Sequence, residues 1–297
     1  MTVIQASLTP KIEGSDGGIS VNDCGTGTIT SSDSIPSPIQ RIASNSSFDI
    51  TDPQESFMAT ISALIASLNF FASSPQLLAK NHDFIKNLHE LIKLFTTVFI
   101  KNINIVELVD IFEFQVDGKV ISEHLLTAYI NFVSVSADEV VLKSLLVLIS
   151  SNLNNSGSQT RYFHLFLTEK LSSDHLSSLF DALMEISCIF TYKTVGFIGS
   201  VPIISEKSRL ASQILVSLLL NSQSDIFPVL KRTDNLKSFA LFIKFQSQIF
   251  QNSHLNLNDL TILTILSNSF INFCPNYRRF LLSKLDNEEL VSSLLLC

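Results

Sequence analysis

The sequence predicts an all-α fold of stacked short helices, and three observations carry that expectation. Beyond residue 50 the chain holds four glycines, so positions that break a helix are rare there. Apolar residues make up 46% of the chain and charged residues 16%, against about a quarter charged in an ordinary soluble domain. Helices so poor in charge must be covered on more than one face, as in layered helical arrays. Finally, no segment sustains the period-2 alternation of a half-buried strand, so strands are not expected. A four-helix bundle, which needs fewer and longer helices, ranks second.

Residues 1–51 stand apart as a tail. The first 50 residues hold ten Ser, five Thr and five Gly, with Phe48 the one aromatic residue. Such a segment cannot bury enough apolar surface to offset its chain entropy and is expected to be disordered. Ser32 before Asp33 and Ser37 before Pro38 are the candidate phosphorylation sites. The start, "MTVIQASLTPKIEG", has no basic stretch followed by an apolar core, so no secretory leader is expected and Asn45-Ser46-Ser47 should be an idle sequon. Cys24, Cys188, Cys274 and Cys297 are scattered, with no C-x-x-C pair. These features predict a reducing, intracellular and cytoplasmic setting, with a nuclear one left open.

Residues 52–297 read as the helical body. Asp52, Pro53 and Glu55 form a helix start, with an N-cap, a first-turn proline and a capping-box acid. From there the pattern predicts helices over 53–73, 76–101, 104–116, 120–135, 138–152, 159–171 and 174–192. It continues with 205–221, 224–231, 234–252, 257–273, 275–284 and 287–296. Ser136 with Glu139, Ser172 or Ser173, Ser205, and Asp286 ahead of Glu288 are the expected caps, and Pro275 suits a first turn. Residues 193–204 are left as an apolar linker between an acidic half, 52–192, and a basic half, 205–297.

The stretch "LSNSFINFCPNYRRFLLSKLDNEELVSSLL" resembles the junction between successive armadillo repeats. The matching pieces are Asn272, Pro275-Asn276, Arg278-Arg279, Leu281-Leu282, Leu290-Val291 and Leu294-Leu295, although the glycine usual between the first two helices of such a repeat is missing. "NHDFIKNLHELIKLF" (81–95) resembles the same junction more faintly. The resemblance implies an armadillo- or HEAT-like α-solenoid, a right-handed superhelix whose long surface binds other proteins. At about 40 residues per repeat it implies roughly six degenerate repeats in 52–297.

Motifs for chemistry are missing. His82, His89, His124, His164, His175 and His254 include no i,i+4 pair, so there is no H-E-x-x-H helix. There is no G-x-S-x-G elbow, and no cysteine has a recognisable catalytic neighbour. In "TYKTVGFIGSVPIISEKSRLA" (191–211) two residues separate Gly196 from Gly199, and Lys207-Ser208 follows with no glycine before it, so the spacing is not that of a phosphate loop. "CGTGT" (24–28) lacks the flanking strand and helix of a dinucleotide site. No catalytic residue, metal or cofactor is assigned. A bilayer span needs about 20 apolar residues; "MATISALIASLNFF" is short of that, and Lys193 interrupts the longer run around it.

Charge is the one positive functional signal. Residues 51–204 carry nine basic and fifteen acidic side chains, while residues 205–285 carry nine basic and four acidic. Glu107, Asp110, Glu113 and Asp117 are spaced to share one helix face. Lys237, Lys244, Arg278, Arg279 and Asn276, with Phe197 and Ile198 in the linker, are the candidate partner-binding residues. The net charge of −7 argues against a nucleic-acid protein held by phosphate neutralisation. The leading reading is a non-enzymatic scaffold or adaptor for a protein partner. A peripheral membrane component that uses the basic half on anionic lipid and an enzyme with a dispersed site are the alternatives.

Overall fold

A computed structural model describes residues 53–76, 81–103, 107–155, 158–195, 199–220, 236–250 and 257–283. The predicted tail, the helices at 224–231 and 287–296, the Asp52 and Asp286 caps and His254 lie outside these residues. The described part is mostly α-helical. Its helices are α1 (Pro53–Ser73), α2 (His82–Asn102), α3 (Glu107–Glu113), α4 (Ile121–Val135), α5 (Glu139–Ser150) and α6 (Tyr162–Leu165). They continue with α7 (Ser173–Ser187), α8 (Glu206–Leu220), α9 (Leu236–Phe250), α10 (Leu257–Phe273) and α11 (Pro275–Leu282). A π-helical turn, Phe166–Lys170, extends α6.

Several starts are those expected. Ser172 caps α7 by accepting from the His175 amide, Ser205 caps α8 by accepting from the Ser208 amide at 3.0 Å, and Pro275 occupies the first turn of α11. At α5 the cap is Asp138 and not Ser136: Asp138 Oδ1 accepts from the amides of Val140 at 2.9 Å and Val141 at 3.1 Å. Its Oδ2 meets His89 Nε2 at 2.9 Å. A carboxylate there both satisfies the first-turn amides and ties α5 to α2, two tasks a serine could not perform together.

Three two-stranded antiparallel hairpins interrupt the helices, against the expectation of no strands. Gln115–Val116 (β1) pairs with Lys119–Val120 (β2) through the turn Asp117-Gly118, both residues at positive φ, 52° and 78°. That is the backbone of a tight hairpin turn, which Asp-Gly suits because glycine carries no Cβ and Asp tolerates the left-handed region. Asp117 is therefore in a turn, and α3 ends at Glu113, so the expected four-acid helical face stops before it. Leu153–Asn155 (β3) pairs with Ser158–Thr160 (β4).

The third hairpin replaces most of the expected linker. Phe190–Val195 (β5) pairs with Gly199–Ile204 (β6) in six registers from Phe190↔Ile204 to Val195↔Gly199. Helix α7 accordingly ends at Ser187, earlier than predicted. The residues concerned are rich in Thr, Val, Ile and aromatics, which fit a pleated surface better than a helix.

The helices pack in two rows. α1, α4, α7 and α9 contact one another in that order, and α9 contacts α11. α2, α5, α8 and α10 do the same alongside them. Across the rows α1 packs on α2, α4 on α5 and α7 on α8, while α9 meets α10 through Phe242 and Phe270, centroids 5.2 Å apart. The pairs begin at Pro53, Ile121, Ser173 and Leu236, more than fifty residues apart. The expected period of about 40 is exceeded because α3 and each hairpin are inserted between or within pairs.

One apolar core runs between the rows, from Phe57 to Leu281. Its first section is aromatic. Phe112 of α3 lies 4.8 Å from Phe163, 6.1 Å from Phe99, 6.2 Å from Phe57 and 6.3 Å from Tyr162. Inside, Ser144 Oγ is 2.7 Å from Tyr129 OH and 2.8 Å from Thr96 Oγ1, joining α5, α4 and α2, while Thr127 Oγ1 is buried without a hydrogen-bond partner. Helix α1 is long and apolar enough by length and composition to cross a membrane, more than "MATISALIASLNFF" alone suggests. Here its Phe57, Ile61, Leu64, Leu68 and Phe71 are buried in the core.

Phe112→Ala should cost about 3–5 kcal/mol, because four rings lose a neighbour and the cavity cannot collapse fully. Chemical unfolding measures it, and a loss under about 1 kcal/mol would mean the site repacks or is open to solvent.

Candidate interaction surface

The sequence-predicted basic residues sit on α9 and α11, and an aromatic lock sets those helices side by side. Phe239 of α9 lies 5.1 Å from Tyr277 of α11, and both rings meet Phe270 of α10, at 6.1 and 5.4 Å. Phe270 in turn reaches Phe180 of α7 at 6.1 Å. Gln246 donates to Ser267 Oγ, and Ser267 donates to the Leu263 carbonyl, so the polar contact between α9 and α10 is also satisfied. With Phe239, Phe242, Ile243, Phe245 and Gln246 turned inward, Ala240, Leu241 and Lys244 are left exposed on α9. On α11, Tyr277 and Leu281 are buried, and Arg278, Arg279 and Leu282 are exposed.

Each helix thus displays cations and a leucine: Lys244 and Leu241 on α9, and Arg278, Arg279 and Leu282 on α11. Leu241 is 43% exposed and Leu282 66%, among other exposed large apolar side chains such as Leu94 and Leu257. Lys237 lies seven residues before Lys244 in α9. Asn276 is half-buried in the first turn of α11. Phe197 and Ile198 lie outside the described residues, as do Ser32 and Ser37, but the hairpin that flanks 197 and 198 is placed: β6 packs against α9. The described residues of β5, β6, α9 and α11 include no Asp or Glu. Lys244, Arg278 and Arg279 make no ion pair among the described residues.

Arg209, in the first turn of α8, is engaged elsewhere. Its guanidinium grips Asp259 of α10 with two bonds, Nε to Oδ1 at 2.7 Å and Nη2 to Oδ2 at 3.2 Å, and also meets Glu206. Asp259 is buried, and its hydrogen bond to Arg209 pushes the guanidinium pKa further up. This pair fastens α8 to α10, so Arg209 serves the fold and is withdrawn from the surface. The base of the third hairpin is pinned on the same side of α8. Ser205 Oγ donates to the Ile189 carbonyl at 3.1 Å, and Ser208 Oγ donates to the Ser187 carbonyl. Sequence reading missed the bridge because its partners lie fifty residues apart, and missed the leucines because exposure is a tertiary property.

Four of the described histidines have hydrogen-bond partners. His124 Nε2 is 3.0 Å from the Val116 carbonyl, His175 Nδ1 is 2.6 Å from Ser172 Oγ, and His89 meets Asp138. His164 is buried, with Nε2 3.4 Å from the Leu218 carbonyl of α8. Burial raises the Cys188 thiol to about 12, raises Cys274 and pushes Tyr162 up to about 12, so these are shifted away from their ionised forms. Among the described residues no three His, Cys, Asp or Glu side chains form a metal-binding group.

Compared with protein-family models, with curated proteins and with solved structures, the chain matches none.

Two outcomes follow from this geometry. Arg209→Met should cost about 1.5–3 kcal/mol by stranding the buried Asp259 carboxylate, and the Arg209→Met/Asp259→Leu double variant should recover much of it in a double-mutant cycle. Burial, and secondarily Arg161, lowers the pKa of His164 below 6.5, with the Leu218 carbonyl and Glu169 opposing. The unfolded chain then takes a proton that the folded state refuses as pH drops below that value, so stability is full above it and falls beneath it. His164→Gln should flatten the stability profile between about pH 7 and 5; an unchanged slope would mean that His164 is solvated.

Proposed function

We propose that residues 53–283 form an α-solenoid of the armadillo- or HEAT-like kind and act as a non-enzymatic scaffold that holds a protein partner on an extended helical surface. The observation that carries this reading is the row packing: α1, α4, α7 and α9 on one side and α2, α5, α8 and α10 on the other, each helix touching its predecessor and successor in its row. That is how a quasi-one-dimensional array buries its core, with each pair contacting only its neighbours. Such arrays leave a broad face of helix backs free, and function then resides in the side chains displayed there. The exposed Lys244, Arg278 and Arg279 of α9 and α11 are the side chains assigned to that display.

Hydrogen exchange after a local lesion tests the array. In a solenoid, stability is approximately a sum of pair and nearest-neighbour terms, so Phe57→Ala should speed exchange in α1, α2, α4 and α5 and leave α10 nearly unchanged. Uniform acceleration throughout would reveal one cooperative globular core and remove the solenoid reading. Affinity capture from lysate with mass spectrometry tests the scaffold. A protein retained by the full chain and lost on Lys244→Glu/Arg278→Glu/Arg279→Glu is expected, and an identical set for both would take this face out of the function.

A further inference from the structure

We propose that His164 is a proton-operated latch between α6 and α8, released in mild acid so that the last turn of α8 opens locally. The latch is independent of the scaffold reading, since it needs no partner.

His164 is 3% exposed, and among the described histidines it is the one that is buried. Its Nε2 lies 3.4 Å from the carbonyl of Leu218, in the last turn of α8. A carbonyl oxygen only accepts, so Nε2 carries the hydrogen and the neutral ring leaves Nδ1 bare. The side chain has no other hydrogen bond among the described residues. A second proton therefore falls on Nδ1, where no described acceptor waits, and brings a full charge into an enclosed site. That charge is relieved when the ring turns out to water, and the bond to Leu218 is lost with it.

The charged groups around the ring leave burial as the deciding effect. Burial lowers the pKa of His164 below 6.5; Arg161 adds to this, while the Leu218 carbonyl and Glu169 of the π-helical turn oppose it. Lys170 is engaged over the Phe166 ring, 5.7 Å from its centroid. On α4, which touches the π-helical turn, Glu123 is paired with Lys119 and His124 with the Val116 carbonyl. α5 packs on α6 but carries its charges, Glu139 and Lys143, in its first turns, where Lys143 senses Glu206. The charges of α8, Glu206, Lys207 and Arg209, are also at its start; Arg209 is about 13 Å along the helix from Leu218.

The backbone beside the ring departs from α geometry. Phe166–Lys170 is a π-helical turn, with the Leu171 amide on the Phe166 carbonyl at 3.0 Å. Thr168 Oγ1 donates to the carbonyls of His164 at 3.1 Å and Leu165 at 3.2 Å. Such turns are rare and concentrate at functional sites, and this one begins two residues after the buried histidine. α6 itself is four residues long, so few backbone bonds of its own hold the ring in place. At the other end of α8 the Arg209–Asp259 bridge is untouched by the proton, which confines the opening to the last turn.

The test uses the full chain and reads two quantities between about pH 7 and 5: histidine ring titrations by NMR, and amide hydrogen exchange corrected for its intrinsic pH dependence. His164 is expected to titrate below 6.5. Below its midpoint, exchange in α6, the π-helical turn and the last turn of α8 should quicken by up to about tenfold per pH unit, the limit for one proton. These segments should open ahead of α1 and α10. His164→Gln, whose side-chain amide still donates to Leu218, should abolish the acceleration. Titration at or above 6.5, local exchange that ignores pH, or acceleration that survives His164→Gln would each overturn the latch. So would exchange in the last turn of α8 as slow as in α1 and α10 at pH 5, because the proton would then open only the whole molecule. Should His164→Gln not fold, Arg161→Gln takes its place: without the opposing charge, the His164 midpoint and the onset of local exchange should rise together. An onset that stays put while the midpoint moves would separate the proton from the opening and overturn the proposal.

Discussion

Helix α8 is the constraint to which the rest of the structure answers. It packs against α5, α7 and α10, and of its described residues Lys207 is the exposed one. Its buried Leu210, Ala211, Ile214, Leu215, Leu218 and Leu219 need cover from several sides. That need explains why α5 and α10 flank it in its own row and why α7 lies across from it. Polar groups at its start find partners in the protein. Ser205, Ser208 and Arg209 take them from the α7 end, the hairpin base and α10. The Arg209–Asp259 pair sits where desolvation would make either charge alone costly.

The hairpins follow from the same packing. A helical pair joined by a tight turn needs only a few residues, yet the link from α7 to α8 uses two strands of six. An isolated two-stranded ribbon is marginal in water. This one is stabilised at its base by Ser205 and Ser208 and on its second strand by α9. It thereby lies next to α9. The same aromatic lock that closes the core, Phe239 with Phe270 and Tyr277, holds α9 and α11 in register, so core packing and surface display are one arrangement seen from two sides.

Much of the helical body was legible from local pattern. Pro53, Ser172, Ser205 and Pro275 begin helices as their chemistry predicts, since caps and first-turn prolines act on amides within three residues. The strands were less visible for reasons that can be named. "QVDGKV" carries an Asp-Gly turn with valines on either side, a strong hairpin signal, but its strands are only two residues long and merge with flanking helical pattern. At 190–204 the β-branched residues were present, while the apolar run favoured helix and linker equally. Ser136 was preferred to Asp138 because a capping box is read along the chain. The decisive bond to His89 comes from a residue 49 positions away.

The sequence by itself determined that this chain is helical, poor in charge and divided between an acidic and a basic stretch. Those properties reside in composition and in residues within four positions of one another. Only the tertiary structure decided which helices share a row, that Arg209 is held in a bridge while Arg278 and Arg279 face outward, and that Leu241 and Leu282 are exposed. Exposure and pairing depend on side chains brought together across fifty residues or more, and no local period records which partner a buried or displayed group will meet.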